Sequence, residues 1–121
     1  MSLANLADES CVPSRADSML LAEEARAELL CLLGDWRVVT HGDVARLVRR
    51  FRFANFAEAL AFTNAIGAIA ESEDHHPALL TEWGRVEVTL WTHVISGLHR
   101  NDFVMAAKCD RAYAETRPAE R

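Results

Sequence analysis

The sequence predicts an α+β domain, a small and mostly antiparallel sheet with helices packed on one face. Three observations point there. Ala45, Leu47, Phe51 and Phe53 alternate with Arg46, Val48, Arg50 and Arg52, and Val86, Val88 and Leu90 alternate with Glu87, Thr89 and Trp91. A period of two marks strands with one buried face. Between them Phe56, Leu60, Ile66, Ile69 and Ala70 recur at helical spacing. Turn signals separate the strands, and strands joined by turns and flanked by helices belong to the α+β class. The chain has 121 residues, 50% of them hydrophobic, which suits one domain with one core.

Residues 1–17 mix small, polar and charged residues without a period and read as a loose or partly ordered arm. The single domain is assigned to residues 18–116, followed by a charged tail at 117–121. Residues 22–33 are helix formers, with Glu23 and Glu24 in the first turn and Gly34-Asp35 as the stop. Residues 36–39 read as a short strand and 40–43 as a turn. Arg49 falls on the apolar side of its strand and marks the edge of the core. Asn55 is a fair N-cap for the helix at 56–71, where Phe62 widens the apolar stripe. Pro77 pushes His76 toward an extended conformation, so that helix ends before His75. Residues 78–80 suggest a short strand and 82–84 a turn. The alternation of residues 86–90, continued, places His93 with Glu87, Thr89 and Trp91, away from the Val and Leu face. Ser96-Gly97 breaks the strand. Asn101 or Asp102 caps a last helix to about residue 114, with Phe103, Ala106, Ala107 and Tyr113 inward.

Lys and Arg number 13 against 18 Asp and Glu, a formal charge of −5. That balance argues against a direct nucleic-acid binder, which needs a basic face. The local run Arg46, Arg49, Arg50 and Arg52 reads as a solvated strand face. Cys11, Cys31 and Cys109 show no zinc or redox spacing and read as free thiols in a reducing cytoplasm, Cys31 in or near the core. No window reaches the roughly 18 apolar residues of a membrane span, and no basic region followed by an apolar run opens the chain. A small sheet with open edges invites pairing with further copies.

The chemistry concentrates in Glu71-Ser72-Glu73-Asp74-His75-His76-Pro77 and in Thr92-His93. Histidine gives and takes a proton near neutral pH. His75 and His76 are adjacent, and neighbours in an extended segment point to opposite faces, so they do not grip one metal ion together. His93 with one of them supplies two histidines, with acids to complete a shell, so a metal site is the minor alternative and the main reading is metal-free. Two or three imidazoles in one pocket, oriented by Glu71, Asp74 or Asp102, can serve as acid and base, each transfer contributing roughly 10²–10⁴-fold in rate. On spacing alone a His pair after a helix serves equally well as a basic C-terminal cap. His41 and His99 sit in turns and read as solvated.

Together, Glu71-x-x-Asp74-His75-His76-Pro77, Trp83-Gly84-Arg85-Val86, Thr92-His93-x-x-x-Gly97-Leu98-x-x-x-Asp102 and Ala106-Ala107 resemble the pterin-4a-carbinolamine dehydratases. Phe51-Arg52-Phe53-Ala54-Asn55-Phe56 is similar to that family's strand-to-helix segment, and the likeness spans residues 22–113. The resemblance implies a small α+β fold that forms homodimers or homotetramers. It implies dehydration of 4a-hydroxytetrahydropterin to quinonoid dihydropterin with no metal and no bound cofactor. This recycles the pterin of aromatic amino acid hydroxylases. It puts His75, His76 and His93 at the catalytic centre, with His75 and His93 as the acid/base pair and His76 mainly binding. Glu71, Asp74, Trp83, Thr92 and Asp102 are the residues it implies around the substrate. Two departures stand out. His99 occupies a place where many members carry Thr or Ser, and Cys11-Val12-Pro13-Ser14 lacks the second thiol of a Cys-x-x-Cys found in close relatives. The same family also implies an alternative, a non-catalytic binding protein that assists RuBisCO assembly or the dimerisation of a transcription factor.

Overall fold

The computed structural model describes residues 2–15 and 18–116. In chain order it contains α1 (Leu3–Asp8), α2 (Glu23–Leu32), β1 (Arg37–His41), β2 (Val44–Arg52), α3 (Phe56–Glu73), β3 (Ala78–Glu82), β4 (Arg85–Leu90), a 3-10 turn (His93–Ile95) and α4 (Arg100–Thr116). The four strands form one antiparallel sheet in the order β1-β2-β4-β3. α3 and α4 pack on each other and on this sheet. The α+β expectation is met. No helix among the described residues is long and apolar enough to cross a membrane.

The alternating residues meet the helices as the period of two requires. Leu47 and Phe51 of β2 and Val86, Val88 and Leu90 of β4 are buried against Phe62 and Ile66 of α3 and Phe103 and Ala106 of α4. Phe51 packs on Trp36, Phe62 and Tyr113 at ring-centroid distances of 5.9, 4.8 and 4.9 Å. Edge-on and tilted rings add to what their burial contributes. Asn55 caps α3 as its sequence suggests, its side chain accepting from the N–H of Glu58 at 2.9 Å.

Several elements differ from expectation. α3 buries Ala59, Phe62, Ile66 and Ala70, while Phe56 and Leu60 stand 45% and 43% exposed. The helix has apolar residues on more than one side, so only packing tells which side faces the sheet. Cys31 is exposed rather than in the core. Of the arginine run, Arg49 is not solvated. It lies under α4 and donates to Asp110 Oδ1 at 2.6 Å, beside the Trp36 Nε1–H at 2.8 Å. Burial pushes the Asp110 carboxyl up, and these two donors partly reverse that. The stretch read as a loose or partly ordered arm carries α1, with Leu6 and Ala7 buried and the helix packed on α4. A six-residue helix is too short to show a period and depends on that docking.

Candidate active site

Three chain segments converge at one end of the β3–β4 hairpin. α3 ends at Glu73, and Asp74 takes the left-handed conformation (φ 52°). The N–H of His75 donates to Ala70 O (3.2 Å) and that of Asp74 to Glu71 O (3.4 Å), the paired bonds of a Schellman turn. Aspartate is among the few residues that tolerate this conformation. Pro77 then keeps the chain extended. His75 and His76 consequently diverge: the His75 side chain is 6% exposed and that of His76 is 53% exposed.

The inward ring meets Asp102. His75 Nε2–H donates to Asp102 Oδ1 at 2.7 Å, and the Thr92 hydroxyl and the His99 N–H donate to Asp102 Oδ2 at 2.8 and 2.9 Å. Asp102 is fully enclosed and Thr92 nearly so. A buried carboxylate needs such a donor set, because an unpaired buried charge is strongly unfavourable. Asp102 also lies in the first turn of α4, where the helix dipole favours a negative charge.

His99, not Asn101 or Asp102, caps α4. Its Nδ1 accepts from the Asn101 N–H at 3.0 Å while its own N–H goes to Asp102. This is a reciprocal capping arrangement with an imidazole in place of a hydroxyl. His99 is therefore not merely solvated. Burial holds it below the ordinary histidine value, opposed by the Asp102 carboxylate and reinforced by neighbouring His75. Its position three residues before an acid at a helix start is the signal that reveals the cap.

The outward groups are His76 and His93. His76 Nε2–H donates to Glu71 Oε1 at 2.7 Å, both side chains largely in solvent. His93 does not extend β4, which ends at Leu90, but opens the 3-10 turn. The turn closes where Thr92 N donates to Gly97 O at 2.8 Å. A Cβ at Gly97 would fall 2.4 Å from Leu20 Cδ2, so a larger residue there would have to displace the exposed Leu20 side chain. His93 is exposed, as its place off the core face implied, and its ring lies against Trp91 at 4.4 Å. From sequence Arg46 reads only as part of a solvated strand face and Trp91 only as a strand residue, whereas the Arg46 guanidinium lies over the Trp91 ring. Trp91 was legible as the residue two before His93 on the same strand face.

The remaining candidates separate. Asp74 is exposed at the α3 terminus. Trp83 is not brought to the histidines: it is 74% exposed in the β3–β4 turn, at the far end of the hairpin and roughly 20 Å of extended chain from His76. Thr92 and Asp102, expected at the substrate, are buried and act on His75 and α4 instead. The residues here are suited to acid/base work. Among the described residues no group of three or more His, Cys, Asp or Glu is arranged to hold a metal ion.

An antiparallel four-stranded sheet backed by two helices, with a buried His–Asp pair beside two exposed histidines, defines a class of small α+β proteins equipped for proton transfer. The family model described as pterin 4 alpha carbinolamine dehydratase matches residues 19–112. A provisionally named pterin-4-alpha-carbinolamine dehydratase of Microcystis aeruginosa is 45% identical over 93% of this chain and 97% of its own. One of Syntrophotalea carbinolica, named equally provisionally, is 49% identical over 89% of this chain and 96% of its own. Among solved structures, a transcriptional coactivator/pterin dehydratase from Brucella melitensis superposes with a TM-score of 0.72 at 33% identity, covering 78% of this chain and 99% of that one. A pterin dehydratase-like protein described as a RuBisCO assembly factor in the alpha-carboxysome gives a TM-score of 0.56 at 26% identity, covering 65% of this chain and 89% of that one. The chain belongs to the pterin 4 alpha carbinolamine dehydratase family.

Proposed function

We propose that this protein dehydrates 4a-hydroxytetrahydropterin to quinonoid dihydropterin. In that reaction the C4a–O bond breaks, the departing hydroxyl takes a proton and leaves as water, and the N5 proton is lost as the C4a–N5 double bond forms. One acid and one base are sufficient. The observation that carries the proposal is the division among three histidines: His75 is locked to Asp102, while His76 and His93 are open to a ligand. The exposed pair suits direct proton exchange with substrate. His75 suits a positioning role, which differs from the pairing of His75 with His93 that the resemblance implied. Glu71 orients His76 by its hydrogen bond. The protein is further proposed to act in the cytoplasm as a homo-oligomer, β1 and β3 having outer edges without strand partners among the described residues.

The experiment is the rate of 4a-hydroxytetrahydropterin dehydration with wild type, His76→Ala, His93→Ala and His75→Ala. Wild type should accelerate the reaction, and the two exposed-histidine variants should lose roughly 10²-fold or more while keeping their fold. No acceleration by wild type would exclude the dehydratase. It would favour a partner-binding role of the kind described for the RuBisCO assembly factor.

A further inference from the structure

Arg46 is the conspicuous loose end near this site. Its guanidinium carbon sits 4.0 Å from the centroid of the Trp91 ring, and Trp91 in turn lies against His93 with the two rings tilted by 40°. The strand register explains the contact: Leu47 pairs with Leu90, so the next step along each strand sets Arg46 beside Trp91 on the face turned away from α3 and α4. Yet Arg46 Nε is buried without an acceptor, and Arg46 makes no hydrogen bond or ion pair among the described residues. Its neighbours on β2 are all provided for. Arg49 has Asp110 and Asp35, and Arg50 has Glu87. A charged donor left unmet is unfavourable, and stacking on an aromatic face compensates only in part.

We infer that Arg46 is a specificity-determining residue of the His93 site, donating to the ligand through its terminal guanidinium nitrogens, which unlike Nε are not buried. Resting on the proposed reaction, the acceptor is a carbonyl oxygen or ring nitrogen on the edge of the planar bicyclic pterin, and Trp91 holds the guanidinium and the His93 ring in a fixed relation to it. A guanidinium presents its donors in a rigid plane, which matches an acceptor-bearing ring edge better than a lysine ammonium does. Arg46 touches no group that gains or loses a proton in the elimination. Its contribution therefore lies in binding, equal in ground and transition states.

The test compares wild type with Arg46→Met, Arg46→Lys and Trp91→Phe. Three quantities are read: KM and kcat for dehydration, the affinity for an oxidised pterin that has the ring carbonyl but no C4a hydroxyl, and the unfolding midpoint. Arg46→Met should raise KM and weaken oxidised-pterin binding on the order of tenfold, with kcat within about twofold. Arg46→Lys should rescue poorly, and Trp91→Phe should fall between. The unfolding midpoint of Arg46→Met should hold or rise, because an unmet buried donor is removed. Unchanged KM and pterin affinity in Arg46→Met, with an active wild type, would overturn this inference alone. A lowered unfolding midpoint with unchanged KM would make Arg46 structural. A wild type that neither dehydrates nor binds pterin would overturn the inference together with the proposed reaction.

Discussion

At the residue scale, Asp102 joins three chain segments. It accepts from His75, Thr92 and His99 in a fully enclosed position. Asp102→Ala leaves two buried donors and the partly buried His99 N–H unmet and should cost about 3 kcal/mol, read by chemical denaturation. A variant as stable as wild type would contradict the burial of that network. His99 offers a pH test. Its folded value is depressed by burial, so below about pH 6.5 the unfolded chain binds a proton that the folded chain resists. This share of stability is present above about pH 6.5 and is lost as pH falls from there toward the folded value. His99→Asn keeps an acceptor at the cap but does not titrate. Its stability should depend less on pH below about 6.5 than that of wild type, and parallel profiles would refute the depressed titration of His99.

At the element scale, the segment after α1 ties together the two chain pieces that carry the His75–Asp102 pair. The Cys11 N–H donates to Glu73 Oε1 at 2.7 Å, at the end of α3. The Asn101 side chain accepts from Val12 N at 3.0 Å and donates to Val12 O at 2.7 Å, one residue before Asp102. Arg100 grips Glu9 through two donors at 2.8 and 2.6 Å, and Lys108 Nζ donates to Ala7 O at 2.8 Å. The last of these places a cation at the C-terminal end of α1, where the dipole favours it. Burial and the Glu73 carboxylate push the Cys11 thiol up to about 12, so it should resist alkylation at neutral pH. Asn101→Ala should release the segment, lower stability by about 1–3 kcal/mol and speed Cys11 labelling. Cys31, already exposed, should label at an unchanged rate and serves as the control. Equal Cys11 labelling in both proteins would show that Asn101 does not hold the segment.

At the scale of the whole molecule, the aromatic cluster around Phe51 and the histidines occupy opposite ends of the β2–β4 ladder. Phe51 pairs with Val86, whereas Leu47 pairs with Leu90 at the end that leads to His93. Phe51→Ala should cost about 3–5 kcal/mol, because the surrounding rings do not close a cavity of that size. Assayed well below its unfolding temperature, it should retain a near-normal kcat. A large kcat loss in the folded variant would mean that the core and the site are coupled along the sheet.

What the sequence determined by itself is local. The period-two runs define β2 and β4, Asn55 and Pro77 bound α3 and the chain after it, and the adjacency of His75 and His76 sends them apart. Each of these follows from backbone sterics and near-neighbour spacing, which are written in consecutive residues. The tertiary structure alone decided the partners. Glycine-free left-handed turning at Asp74, the β2–β4 register and the packing of α4 bring residues 75, 92, 99 and 102 into one hydrogen-bonded set and lay Arg46 on Trp91. The same packing buried Thr92 and Asp102 and docked α1. Burial and partner choice arise from contacts between residues distant in the chain, and a single sequence carries no local mark of them.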